Sequence, residues 1–460
     1  MIFRIVSPID GSIYAEREAM PLEAARAAAA RARAAQPAWA ALPLAERIAV
    51  ITGAVELLRA MNDTLVTELA WQMGRPVRYG GEIGGIAERA GWMAENAADA
   101  LAPLEIEDSP AFMRRIERAP VGVVLVIAPW NYPYLTAING VFPALIAGNT
   151  VVLKHAEQTM LTGERLAEAL HAAGAPDDVF QNIMIEHPVA ETLMAERAFD
   201  SIGFTGSVVG GRAVERAAAG SFAAVGLELG GKDPAYVMED ADLDAAVEGV
   251  MDGATFNAGQ CCCGIERIYV HRNHYEAFVE AAVAWTEKLR LGNPLDPETT
   301  LGPMAARRFA DVVRRHVTKA TAAGARALVD PAKFPADDGG TYVAPQVLID
   351  VTHDMDVMRE ETFGPVVGIM PVDNDEEAVR LMNDSPFGLT ASLWTGDAER
   401  ALALGRRIET GTVFLNRADY LDPALCWTGC KLSGRGATLS RFGFESVTRP
   451  RSYHLRKASP

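Results

Sequence analysis

The stretch PVGVVLVIAPWNYP, residues 120–133, holds the reading of this chain together. Seven apolar, mostly β-branched residues run without alternation from Val121 and stop at Pro129, the pattern of a strand buried on both faces. TVVLKH (150–155) and SIGFTG (201–206) repeat it, each closed by Gly or polar residues, and helix-like segments such as LTGERLAEALHAAG (161–174) lie between them. Buried strands alternating with helices predict a doubly wound parallel sheet, with ligands at the carboxyl ends of its strands. A second α/β region follows: RIYVHR (267–272), a long helical segment at 275–289, VVGIMPV (366–372), LTASLWT (389–395) and GTVFLN (411–416). Residues 22–70, rich in Ala, Arg, Glu and Leu, read as two or more amphipathic helices interrupted near Pro37 and Pro43. Residues 101–120 fit neither pattern and read as a protruding hairpin, as does the basic tail 448–457.

The chain has 460 residues, 49% of them hydrophobic, which predicts two or three packed units. With 43 Lys plus Arg against 60 Asp plus Glu, the net charge of −17 disfavours nucleic acid and anionic membrane surfaces as partners. No apolar run approaches the roughly 18 residues that span a bilayer, and no secretory pattern opens the chain, so the expected address is the cytoplasm. Five cysteines there are expected to be thiols. Their spacing predicts no metal site: Cys261, Cys262 and Cys263 are adjacent, and Cys426 and Cys430 have no companion pair.

Chemistry concentrates at a few short motifs. GFTGS (203–207) puts glycine at a strand-to-helix turn, where backbone N–H groups and a helix amino terminus suit a phosphate, although a tight turn alone would also need glycine. LKHAE (153–157) offers Lys154 and Glu157 to a ribose, or a plain loop ion pair. LELGGK (227–232) sets Glu228 in apolar surroundings that favour a raised pKa and a general base, and Asn131 in PWNYP is either an oxyanion donor or a turn cap. FNAGQCCCG (256–264) leaves three thiols, read as one nucleophile with two packing neighbours or as three small buried hydrophobes.

Taken in order, PWNYP, FTGS, ELGGK, FNAGQCC, ETFGPV and GTVFLN, with MGRP (73–76) and KLSGRG (431–436), resemble the aldehyde dehydrogenase superfamily over nearly the whole chain. The resemblance implies a dinucleotide-binding domain (1–101 and 121–230), a catalytic domain (231–446) and a small β oligomerisation element (102–120 and 447–460) that joins a homodimer or homotetramer. It implies Cys262 as the nucleophile attacking an aldehyde carbonyl. The Asn131 amide and the Cys262 N–H would hold the oxyanion, hydride would pass to a nicotinamide, and Glu228 would activate the water that hydrolyses the thioester. Lys154 and Glu157 match the adenosine-ribose pair, Glu361 the nicotinamide-ribose ligand and Phe363 a ring neighbour, with Trp130, Thr205, Gly206, Ser207 and Leu229 at further cofactor positions. Glu157 would repel a 2′-phosphate, so NAD is expected over NADP.

The expected substrate pocket comprises Tyr132, Leu135, Thr136 and Asn139, the flanking Cys261 and Cys263, and the loop 416–427 with Tyr420 and Trp427. Those aromatics suggest a medium aliphatic or aromatic aldehyde, whereas Arg417 is either a partner for a semialdehyde carboxylate or a solvated loop residue. Coenzyme A acylation and a non-catalytic binding role are the rival readings, and intact Glu228, Cys262, Asn131 and Lys154 weigh against them. Two positions depart from the family pattern: Thr438 stands near the place of a second glutamate, and His155, read as a tolerated loop residue, replaces a common proline. An extended 261–263 stretch would turn Cys262 away from both neighbours.

Overall fold

The computed structural model describes residues 1–418 and 420–457. Residues 458–460 of the expected tail and Asp419 of the expected pocket loop lie outside the described residues. Two sheets organise the chain. The first has six strands in the order Gly434–Arg435, Ala224–Glu228, Ser201–Thr205, Val123–Ala128, Thr150–His155, Phe180–Asn182, and its pairs are parallel except Gly434–Arg435 against Ala224–Glu228. The stretch 121–129 provides its central strand: Val123, Val124, Leu125 and Val126 are buried on both faces, as a continuous apolar run requires.

The second sheet has seven strands: Arg326–Ala327, Gln346–Ile349, Val366–Val372, Ile265–His271, Asp233–Val237, Thr390–Trp394 and Thr412–Leu415. Only the outermost pair at the Arg326–Ala327 edge is antiparallel. A third sheet joins Thr448–Arg456, Phe112–Pro120 and Leu104–Asp108 antiparallel, so the tail does return to the hairpin.

Helices Leu22–Ala41, Leu44–Ala60 and Asn62–Met73 occupy the amino-terminal segment. Pro43 separates the first two, but Pro37 lies inside the first, whose last turn simply continues past it. The stretch 434–446, counted with the second unit on sequence grounds, packs on the first sheet instead. Gly434–Arg435 pairs with the Glu228 strand, and Phe444 of helix Ser440–Ser446 is buried in the core around helix Pro133–Ile146. Among the described residues no helix is long and apolar enough to cross a membrane.

Candidate active site

The two main sheets face each other across a cleft, the first with its carboxyl edge and the second with its amino edge. From the first come Trp130 and Asn131 just after Val123–Ala128, Gly206 and Ser207 just after Ser201–Thr205, and Glu228 at the end of its strand. From the second come Cys262, three residues before Ile265–His271, and Glu361, Thr362 and Phe363, just before Val366–Val372. All of these line one cavity of about 240 Å³, together with Thr205, Leu229, Gly230 and Phe309. Trp130 stacks on Phe309 at 4.7 Å and meets Phe363 edge-on at 5.6 Å, giving the cleft an aromatic wall.

The three cysteines do not form an extended stretch. The Gly264 N–H donates to the Cys261 carbonyl at 3.1 Å and closes a turn over 261–264. Consequently Cys262 does not point away from its neighbours: the Sγ atoms of Cys261 and Cys263 are 3.4 Å apart, and all three lie within 4.8 Å of one another. Depth separates them instead. Cys261 and Cys263 are 4% and 1% exposed in the apolar core, away from the cavity walls on which the substrate reading had placed them, whereas Cys262 is half-buried at the cleft. The turn follows three consecutive residues with positive φ, Asn257 (54°), Ala258 (58°) and Gly259 (67°). A Cβ on Gly259 would meet the Gly364 carbonyl carbon at 2.4 Å, so glycine is obligatory where the two loops cross.

A buried polar network fixes Asn131 beside this turn. Its Nδ2 donates to the Gln260 carbonyl at 3.2 Å, and its own carbonyl accepts from Arg75 Nη2 (2.6 Å) and Asn257 Nδ2 (3.1 Å). Arg75 is paired with Glu82, both side chains 3% exposed, and Glu82 also accepts the Leu135 N–H at 2.8 Å. On the opposite wall Lys232 pairs with Glu266 out of solvent and donates to Thr362 Oγ1 at 3.0 Å, while Glu266 accepts the N–H groups of Thr362 (2.8 Å) and Phe363 (2.9 Å). None of Arg75, Glu82, Asn257, Glu266 and Thr362 was singled out from the sequence. The only available signals were the MGRP, FNAGQ and ETFGP motifs, which hold Arg75, Asn257 and Thr362.

Two half-buried carboxylates face the cleft. Glu228 accepts from Thr205 Oγ1 at 2.9 Å and from Thr438, and burial raises its pKa against the lowering effect of those hydroxyls and of Arg89. It also borders a second cavity, of about 250 Å³, whose walls include Thr136, Asn139, Gly140 and Thr438. Glu361 accepts the Gly231 N–H at 3.1 Å, and burial, seconded by repulsion from Glu266, lifts its pKa to about 8. His155 is not a loop residue: it ends the strand Thr150–His155, is 2% exposed, and its Nε2–H donates to the Pro133 carbonyl at 3.1 Å. Desolvation pushes its pKa down to about 4, so it stays neutral.

The residues present suit a dinucleotide. Lys154 is 8% exposed, burial lowers its pKa, and its ammonium hydrogen bonds to no described group. Exposed Glu157, two residues after the strand, accepts the Arg4 N–H at 3.3 Å, so a buried donor and an exposed acceptor, the pair a ribose diol requires, stand at the end of one strand. Ser207 caps helix Val208–Ala218 by accepting the Gly210 N–H at 3.2 Å, which places that helix amino terminus against the cleft. The remaining expected pocket residues are dispersed. Thr136 lines the cavity behind Glu228, Tyr132 lies under the Arg75 guanidinium at 4.8 Å, and Tyr420 and Trp427 line a third cavity of about 170 Å³ with Arg417.

Residues 1–453 match the model of the aldehyde dehydrogenase family. The chain is 36% identical over 454 residues to a vanillin dehydrogenase of Pseudomonas sp. (strain HR199 / DSM 7063), covering 97% of this chain and 92% of the relative. It is 35% identical over 389 residues to the succinate semialdehyde dehydrogenase [NAD(P)+] Sad of Escherichia coli (strain K12), covering 84% and 83%. Its backbone superposes with a TM-score of 0.94 on an aldehyde dehydrogenase from Bacillus cereus solved as an NAD+ complex, at 31% identity and covering 99% and 93% of the two chains. The chain therefore belongs to the aldehyde dehydrogenase family, and it is an NAD(P)-dependent oxidoreductase that acts on aldehydes.

Proposed function

We propose that Cys262, Asn131 and Glu228 are the catalytic residues, and the observation that carries this reading is their convergence on one 240 Å³ cavity with Glu361 and Phe363. The Cys262 Sγ loses its proton to solvent and attacks the aldehyde carbon as the thiolate, forming a C–S bond while the carbonyl oxygen gains the π electron pair. The Asn131 Nδ2–H donates to that oxygen. NAD(P), held beside this adduct by Glu361 and Phe363, would supply the hydride acceptor that turns it into a thioester. The resulting acyl group on Cys262 is released by water, whose proton Glu228 accepts, giving the carboxylic acid and a free thiol. The raised pKa of Glu228 suits a base that must take and return a proton near neutrality.

Lys154 and Glu157 would hold the adenosine ribose, Glu361 the other ribose, and Trp130, Thr205, Gly206, Ser207, Leu229 and Phe363 the rest of the dinucleotide. The open Glu157 carboxylate supports NAD over NADP. The first sheet with its helices and residues 434–446 serves as the dinucleotide-binding domain, the second sheet as the catalytic domain, and the third as the oligomerisation element of a cytoplasmic homodimer or homotetramer. Tyr420 and Trp427, and the similarity to a vanillin dehydrogenase, favour an aromatic or medium aliphatic aldehyde. A semialdehyde is the second reading, favoured by Arg417: its guanidinium stacks at 3.7 Å on Tyr420 in the third cavity and pairs with no described carboxylate.

The test is Glu228→Gln mixed with NAD and an aldehyde. The expected result is a burst of about one NADH per active site, an acyl adduct on Cys262 by mass spectrometry, and steady turnover reduced about 10²–10⁴-fold. An unmodified Cys262 peptide would refute the assignment. Catalytic efficiencies for benzaldehyde, hexanal and succinic semialdehyde then decide the substrate class.

A further inference from the structure

We propose that the turn Cys261–Cys262–Cys263 binds one thiophilic divalent cation of the zinc class, which caps Cys262 reversibly. On sequence grounds the adjacency of the three cysteines and the lack of a companion pair argued against a metal site. The turn closed by the Gly264 N–H removes that objection by gathering all three Sγ atoms within 4.8 Å, with the Cys261–Cys263 pair at 3.4 Å. A zinc ion with sulfur ligands at about 2.3 Å in tetrahedral geometry needs sulfurs about 3.8 Å apart. The Cys261–Cys263 separation of 3.4 Å lies just below that value and no Sγ pair exceeds 4.8 Å, so shifts of about 1 Å or less, within reach of side-chain rotation, meet it.

Burial favours the same outcome. Cys261 and Cys263 are fixed in a packed core at 4% and 1% exposure, where sulfur–metal bonds offset the cost of burying thiolate charge. Cys262 alone of the three lines the 240 Å³ cleft, which provides the entry path and room for a water as fourth ligand. Three protein ligands with one open position is the arrangement of zinc sites that exchange their fourth ligand. Binding replaces three S–H bonds by three S–metal bonds and releases three protons to solvent, with no change of oxidation state. Coordination draws electron density from the Cys262 sulfur and places the ion between it and the cleft, so its attack on an aldehyde is suppressed until a chelator withdraws the ion.

The test titrates the full-length protein, without cofactor or aldehyde, with Cd2+ and follows thiolate-to-cadmium charge-transfer absorption. One Cd2+ per chain is expected. Cys261→Ser and Cys263→Ser should each remove about a third of the absorption and weaken binding at least tenfold, Cys426→Ser should change neither, and EDTA should restore NADH production by the wild type. Circular dichroism establishes that the serine variants are folded. Absent absorption in the wild type, an intensity matching a single thiolate, or wild-type affinity in either serine variant would overturn the site. The readout is absorption, so it stands apart from whether Cys262 is the nucleophile, which Cys262→Ala addresses.

Discussion

On the first-sheet side of the cleft, Trp130, Asn131, Lys154, Ser207 and Glu228 sit at or just past the carboxyl ends of four parallel strands, positioned by the sheet itself. On the second-sheet side, Cys262, Glu361 and Phe363 precede their strands and are held by loops. Those loops depend on a buried Lys232–Glu266 pair and a run of left-handed residues. The first side is built from backbone regularity and the second from compensated charge and strain. Damage should therefore be local on the first side and should spread on the second.

Cys262→Ala tests the chemistry on the second side most severely. It should reduce NADH production by at least about 10³-fold while leaving the unfolding midpoint nearly unchanged. Lys232→Met tests the scaffold of that side: it leaves Glu266 buried without its counter-ion and should cost about 3–5 kcal/mol by urea denaturation. Equal stability of that variant would break the contrast between the two sides. Thr438→Val probes the first side, where the expected loss of steady-state turnover is tenfold or less. Its sign is definite. The Thr438 hydroxyl stabilises ionised Glu228, so its removal raises the carboxyl pKa further, and the rising limb of the pH–rate profile must move to higher pH.

Much of the first side was legible because strand, turn and functional residue are consecutive. The run 121–131 spells a buried strand, its stop and Asn131 in eleven letters. The second side was harder because its organising contacts are remote: Lys232 meets Thr362 across 130 positions, and Arg75 meets Asn257 across 182. The sequence offers no periodicity that links such pairs. The cysteine turn was misread for a related reason. The expected direction of Cys262 was conditional on an extended stretch, whereas Asn257, Ala258 and Gly259 adopt positive φ before it and the Gly264 N–H closes a turn over it. Trp427 and Tyr420 show the limit for the substrate: their chemistry was readable, but their place in a cavity apart from Cys262 was not.

The left-handed run also bears on how the protein tolerates change. A buried Ala→Gly substitution at Ala254, inside helix Leu243–Thr255, loses a packed methyl and gains backbone freedom in the unfolded chain, costing about 1–2 kcal/mol. At Ala258, equally enclosed at 4% exposure but at φ 58°, release of about 1–2 kcal/mol of left-handed strain offsets that cost. Ala258→Gly should therefore be almost neutral by thermal denaturation, whereas Ala254→Gly is not. A mutational survey reading stability alone would then score the residue four positions before Cys262 as dispensable. The same survey reading turnover would detect the loosened turn, so at this position fitness is set by precision at the reacting sulfur rather than by folding.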